Sequence, residues 1–316
     1  HLGAGRPAQA PVLEPVLEYR MHADTDDLQG AYLKLRRLEE EDPQLHLVWD
    51  HQLREIRVQL MGPVQMEILQ RLIAARFGLS VRFDEGNIVY KETIAAPVEG
   101  VGHYEPLRHY AEVHLLLEPG EPGSGIVLDT MCSEDVLARS WQRLIFTHLQ
   151  EAVQPGVLTG SPITDLRITL VSGKAHLKHT EGGDFRQATY RAVRQGLRKA
   201  QSVLLEPWYS FRLELPSGML GRAMTDFERM HAELSAPELT GERAVLTGAG
   251  PVRLLRGCTA EVTSYTRGQG KISYQPAGYR PCAQQDEIVK RIGYDPERDL
   301  LHPTGSVFCS HGAGFE

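Results

Sequence analysis

The sequence predicts an α+β protein in which two small β-α-β-β-α-β folds flank a different middle domain. Three observations predict it. Strand-like and helix-like apolar periods follow that order over residues 16–90 and again over 208–275. The stretch between them has its own pattern of alternating strands, a Pro/Gly loop and two long helices. At 316 residues the chain exceeds one ordinary core and suits two or three domains of roughly 100 residues.

In the first copy, VLEYRM (16–21) reads as a strand. Asp24 or Thr25 is placed to cap a helix that runs to about Glu41, with Leu28, Ala31, Leu35 and Leu38 on one face. LHLVW (45–49) and IRVQL (56–60) are strands joined by a polar hairpin. Gly62-Pro63 opens a second helix, with Pro63 at its first position, Val64, Ile68 and Leu72 on its buried side and Gly78 closing it. LSVRF (79–83) and IVY (88–90) follow.

The middle begins with the alternating strand HYAEVHLLLE (109–118) and the loop PGEPGSG (119–125). Ser133 reads as the cap of a long helix with Val136, Trp141, Leu144, Ile145 and Leu149 inward, ending near Pro155-Gly156. DLRITLVSG (165–173) is the next strand, and KAHLKHTEGGDF leads to a helix from about Phe185 to Ala200, on which Arg191, Arg194 and Arg198 form a basic stripe. In the last copy WYSFRLEL (208–215) is a strand and residues 219–234 are helical. RAVLTGAGPVRLL (243–255) starts as a strand, a short helix spans Val262 to Thr266, and KISYQ is the final strand.

Lys plus Arg is 34 and Asp plus Glu is 41, a net charge of −7, so the chain is no polycationic nucleic-acid binder and any RNA contact needs a local patch. Cys132, Cys258, Cys282 and Cys309 lack a C-x-x-C pair, which fits reduced cytosolic thiols better than disulfides or zinc. No apolar run reaches the roughly 18 residues of a membrane span. HLGAGRPAQA lacks a starting Met and an apolar core, and reads as a linker or cloning remnant at the front of a fragment.

Catalytic signatures are missing: no H-E-x-x-H, G-x-S-x-G or dinucleotide G-x-G-x-x-G stands in its required setting. Cys309-Ser310-His311 are sequence neighbours, a poor arrangement for a thiol-imidazole pair, and His109, His114, His176 and His179 lack ligand spacing. YTRGQGKIS (265–273) resembles a phosphate loop, but Tyr265 stands where the first glycine belongs and Ile272 where the Mg-binding hydroxyl belongs. It reads instead as a helix end, a glycine turn and a strand start. The residues point to a binding module, or to part of an enzyme whose chemistry lies elsewhere.

Several segments resemble a known family. Residues 42–94, DPQLHLVWDHQLREIRVQLMGPVQMEILQRLIAARFGLSVRFDEGNIVYKETI, are similar to the third domain of translation elongation factor G, including the Met-Gly turn and the Tyr-x-Glu-Thr-Ile exit. SWQRLIFTHLQEAVQPGVLTGSPITDLRITLVSG (140–173) resembles its fourth domain, with Gly160-x-Pro162 and Asp165-x-x-x-Thr169-Leu170 in register. LLEPWYSFRLELP (204–216) resembles the opening of its fifth. Gly123-Ser124-Gly125 and Asp184-Phe185-Arg186 lean toward the tetracycline ribosomal-protection subgroup. That subgroup's Tyr-Ser-Pro tip is replaced here by His176, Leu177 and Lys178. The implied layout is a linker over 1–14, domain III over 15–95, domain IV over 96–203, domain V over 204–282 and a tail over 283–316.

The resemblance implies two ferredoxin-like domains around a ribosomal-protein-S5-domain-2-like domain with a left-handed β-α-β crossover, against the usual hand. It implies a monomeric cytoplasmic protein that binds rRNA of both ribosomal subunits and no membrane. Its domain IV is an arm with loops at the far end, reaching toward the decoding centre to release tetracycline. It also implies a ribosome-dependent GTPase parent whose GTP and Mg belong to a missing N-terminal domain, with no cofactor in this chain. RNA recognition by such loops works through phosphate charge, 2′-hydroxyls and base stacking. The candidate contacts are Gly123, Ser124 and Gly125 in one loop, and Lys174, His176, Leu177, Lys178, His179 and Thr180 in the other, with Arg267 and Lys271 in domain V. Lys174 and Lys178 suit phosphate, and His176 and His179 suit stacking. A second reading, a non-ribosomal protein-interaction scaffold that reuses the fold, fits the acidic charge and the unmatched tail.

Overall fold

The computed structural model describes residues 15–42, 45–50, 54–60, 63–310 and 313–315. The expected linker over 1–14, the polar hairpin turn, the Met-Gly turn, the Val64 side chain and His311 lie outside the described residues. The chain divides into two units, one of residues up to Val89 with Pro207–Gly278, the other of Tyr90–Glu206 with the residues from Tyr279 on.

The first unit opens with β1 (Leu17–Ala23), α1 (Leu28–Glu41), β2 (His46–Asp50), β3 (Glu55–Leu60), α2 (Pro63–Phe77), β4 (Val81–Phe83) and β5 (Asn87–Ile88). The sheet order β2-β3-β1-β4 puts the first strand between the third and fourth, as a ferredoxin-like β-α-β-β-α-β unit requires. Ala31, Leu35 and Leu38 are buried as the periodicity predicts. The cap of α1 is Asp27, not Asp24 or Thr25: its carboxylate accepts from Gly30 N at 2.8 Å. On α2 the inward residues are Leu69 and Ile73, and Ile68 is 61% exposed. That helix carries apolar residues on most of its circumference, so periodicity alone could not select its buried face.

Next come β6 (Lys91–Ile94), β7 (Val98–Tyr104), β8 (Ala111–Pro119), β9 (Ile126–Thr130), α3 (Arg139–Glu151), β10 (Leu166–Ala175) and α4 (Gly182–Lys199). The middle sheet has the order β7-β8-β10-β9, and β9 runs parallel to β10 with α3 as the crossover. Leu115, Leu117, Ile145, Leu166 and Phe185 form the heart of this core. Ser133 does not cap α3: its carbonyl closes a turn with Val136 N and Leu137 N, Leu137 takes the inward position, and the helix starts six residues later at Arg139. Val136, expected inward, is exposed. α4 lies so close to β7 that a Cβ on Gly100 or Gly102 would fall on the carbonyl oxygens of Ala192 and Ala188.

The second ferredoxin-like fold is β11 (Ser202–Pro216), α5 (Leu220–Arg229), β12 (Glu233–Leu234), β13 (Glu238–Thr240), β14 (Arg243–Pro251), α6 (Val252–Leu255), α7 (Cys258–Tyr265) and β15 (Lys271–Pro281), in sheet order β12-β14-β11-β15. The helix expected over 219–234 stops at Arg229. His231 has φ +56°, a left-handed turn, and the chain then enters β12.

The tail is folded as α8 (Gln285–Ile292), β16 (Phe308–Ser310) and β17 (Ala313–Phe315). It covers what reads in sequence as a basic stripe. Arg194, only 1% exposed, donates to Pro155 O and Gly156 O, both at 3.0 Å, to His302 O at 3.1 Å and to the Tyr294 hydroxyl at 3.0 Å. Arg191 is buried as well, and Arg198 pairs with Glu297 at 2.8 Å. Two of the three arginines thus belong to a structural seam, and Arg198 alone stays exposed.

Candidate functional site

The loop that follows β10 is held by hydrogen bonds around Thr180. Thr180 Oγ1 accepts from His176 N at 2.7 Å and donates to Tyr110 O at 2.6 Å. Tyr110 N returns a bond to His179 O at 3.0 Å, which ties the loop to the β7–β8 turn. His179 N and Thr180 N both donate to His176 O, and Lys178 N donates to His176 Nδ1 at 3.2 Å. That last bond makes Nδ1 the acceptor and leaves the proton of a neutral ring on Nε2. The imidazoles of His176 and His179 stack at 4.5 Å, Tyr110 sits 6.5 Å from His176, and Lys174 Nζ lies 5.8 Å over the Tyr110 ring.

The outer surface of this loop is what it offers a partner. His176, Lys178 and His179 are exposed, and Leu177 at 105% is fully so. Behind it, α4 starts with a capping box in which Glu181 N donates to Asp184 Oδ2 at 2.8 Å, while Asp184 Oδ1 meets His109 Nδ1 at 2.9 Å. Burial, with the Glu112 carboxylate beside it, pushes the Tyr110 phenol up to about 12, so it remains a donor to Glu112.

Register shows which candidates meet. β8 and β10 are antiparallel, with Ala111 opposite Ala175 and Pro119 opposite Leu166. Lys174, His176, Leu177, Lys178, His179 and Thr180 therefore sit at one end of the sheet. The loop with Gly123, Ser124 and Gly125 sits at the other end, about 27 Å away at some 3.3 Å per residue. The expectation of both loops at the far end of an arm is corrected by this pairing. The second loop is organised by Asp165, which has φ +55°: its Oδ1 accepts from Gly125 N at 3.0 Å and its carbonyl from Gly120 N at 2.7 Å. Arg267 and Lys271 are exposed residues of the other unit, flanking a turn built on buried Thr266.

Thr266 also excludes nucleotide from that turn. Its Oγ1 donates to Val262 O at 2.5 Å and accepts from Gly270 N at 2.8 Å, and Gly268 N is taken by Thr263 O at 2.8 Å. The amides that would cradle a phosphate are spent on the turn itself.

Reading residues one at a time missed Thr180, Tyr110 and Asp165 as organisers. The signals were local: Glu181-x-x-Asp184 is a capping-box spacing, and Tyr110 immediately precedes β8, whose antiparallel partner β10 ends at Ala175.

Residues 86–201 match the family described as Elongation factor G, domain IV, and residues 203–288 match Elongation factor G C-terminus. The chain belongs to the elongation factor G-like family. It is 31% identical over 303 residues to Tetracycline resistance protein TetP of Clostridium perfringens, an alignment that covers 94% of this chain and 46% of TetP. The chain thus spans about half the length of that relative. A crystal structure of a Thermus thermophilus protein shares the fold with a TM-score of 0.68 at 22% identity, covering 92% of this chain and 45% of that one. The 176–180 loop lies within the residues that match domain IV, and the YTRGQGKIS turn within those that match the C-terminal domain.

Proposed function

We propose that this chain is the ribosome-binding C-terminal half of a translation-factor GTPase, and that its domain IV tip enters the decoding region to displace tetracycline. The observation that carries the reading is the tip itself: an exposed loop of two stacked imidazoles, a lysine and a leucine, held rigid from beneath by Thr180 and Tyr110. Stacked rings and a cation beside them suit unpaired bases and phosphate, while the rigid base lowers the entropy lost on binding. Likeness over most of the chain to a tetracycline resistance protein supports the choice of ligand. GTP and Mg belong, on this reading, to a preceding domain of the parent protein.

Net charge of −7 does not oppose the reading, because screening over about 8 Å leaves each patch to act locally. Lys174 and Lys178 are the cations of the tip, so affinity should fall with salt, less steeply than for a polybasic segment. The test is co-sedimentation of the parent protein with ribosomes at low salt in the presence of a non-hydrolysable GTP analogue. Binding that drops as salt rises supports the proposal, and no binding under those conditions overturns it.

A further inference from the structure

The tail lies along the edge of the middle sheet at the end that carries the 176–180 loop. Val307 N donates to His103 O at 2.8 Å, Glu105 N donates to Val307 O at 2.8 Å, and His103 N donates to Ser306 Oγ at 3.0 Å, so Val307 runs parallel to β7. His103 and Tyr104 close β7, Glu105 opens the turn to β8, and Tyr110 stands at the other end of that turn. Tyr110 in turn holds the loop: its carbonyl accepts from Thr180 Oγ1 at 2.6 Å and its amide donates to His179 O at 3.0 Å.

Side chains make the same connection. The Phe308 ring stacks on the His103 imidazole at 4.6 Å and 16°, and His103 meets Tyr110 edge-on at 5.3 Å and 89°. Tyr110 lies 6.5 Å from His176, which stacks on His179 at 4.5 Å. Each step falls within the roughly 4.5–7 Å over which ring pairs attract, so a column of rings runs from the tail to the loop. Glu112 braces its middle: one carboxylate oxygen, Oε2, lies 3.3 Å from His103 Nδ1 and accepts from the Tyr110 hydroxyl at 3.3 Å. Phe308 itself is 42% exposed, so it is not a core residue; its ring is laid flat on His103 instead.

We infer that the tail segment 306–308 positions the 176–180 loop, with Phe308 as the positioning residue. Docked on β7, the segment fixes the His103 ring; His103 and Glu112 fix the Tyr110 ring; Tyr110 fixes the loop through its ring and through both of its backbone groups. A loop ordered in advance loses less entropy when it meets a partner, which gives the tail a share in binding although Phe308 need not touch the partner. The inference rests on the ribosomal reading only for what the loop meets.

Amide hydrogen exchange in the full chain tests the positioning role. In F308A the hydrogen-bonded amides of Tyr110, His179 and Thr180 should exchange about three- to tenfold faster, the range that one lost aromatic pair allows. The core amide of Leu115 and the Gly125 amide, bonded to Asp165 at the other end of the sheet, should hold steady. F308Y, which keeps the stack, should restore the wild-type rates. Loop rates that stay unchanged in F308A, that rise no more than that of Leu115, or that F308Y fails to restore overturn the inference. No ribosome enters this measurement, so a parent protein that fails to co-sediment with ribosomes overturns the ribosomal reading and leaves the positioning role standing.

Discussion

The carboxylate of Glu92 is the centre on which Thr159 and its loop are wound. Glu92 Oε1 accepts from Thr159 N and Thr159 Oγ1, both at 2.8 Å, and from Ser161 N at 3.2 Å, while Oε2 accepts from Leu158 N at 2.9 Å. The Glu92 amide reaches Pro162 O at 2.9 Å. The Tyr-x-Glu-Thr-Ile exit and the Gly160-x-Pro162 turn, separate motifs in the sequence, are one structural unit.

Replacing that carboxylate should be costly although Glu92 is far from the tip. Glu92→Gln turns an amide donor toward N–H donors in a site only 1% exposed, and the expected loss is about 3 kcal/mol of unfolding free energy. Urea unfolding of the variant measures it, and a loss below about 0.5 kcal/mol would remove the role assigned to Glu92.

Close packing of α4 on β7 gives a second expectation. Gly102→Ala would place a methyl on Ala188 O, so helix and strand must separate. Overpacking of this kind costs about 1–3 kcal/mol or more, which a shift in the thermal midpoint will show. Gly183→Ala on the same helix meets no atom within 4 Å and serves as the control that should leave the midpoint nearly unchanged.

Acid sensitivity should be traceable to Glu151. Arg186 first, then His148 and Tyr190, hold its carboxyl down to about 2. A depressed folded pKa contributes stability that is present above the ordinary carboxylate value of about 4.3 and is lost as pH falls from there toward 2. A carboxyl-carbon NMR titration of Glu151 should show its midpoint near 2 in the wild type and a higher midpoint, still held below the ordinary value by His148 and Tyr190, in R186Q.

Thr180 is the residue on which tip order depends. Thr180→Val keeps the shape but removes the bonds to His176 N and Tyr110 O, with an expected loss of about 1–2 kcal/mol. Amide exchange over residues 176–180 should quicken while the β8–β10 core keeps its protection. Unchanged exchange in the loop would show that the tip is held by something else.

These elements also show what the chain discloses before it folds. Both β-α-β-β-α-β orders were legible because Ala31, Leu35 and Leu38, or Leu213 and Leu215, keep the period of their element and bury accordingly. Ile68 misled because α2 is apolar nearly all round, and Ser133 because a capping residue also suits an isolated turn. The role of Arg194 was hidden: its partners Pro155, Tyr294 and His302 are remote in sequence, so a helical stripe of arginines looked like surface. The separation of the two candidate loops was legible in principle. Two antiparallel strands fix which loops share an end, and only the pairing of β8 with β10 had to be known.

Directed cleavage of ribosomal RNA from the tip tests the central claim most directly. Leu177→Cys in a Cys309→Ser background, carrying a tethered iron chelate, leaves Cys132, Cys258 and Cys282 buried and unlabelled. With the parent protein bound to ribosomes, the account predicts hydroxyl-radical cuts in small-subunit rRNA around the decoding region. Bound protein that cuts only elsewhere, or nowhere, would contradict it.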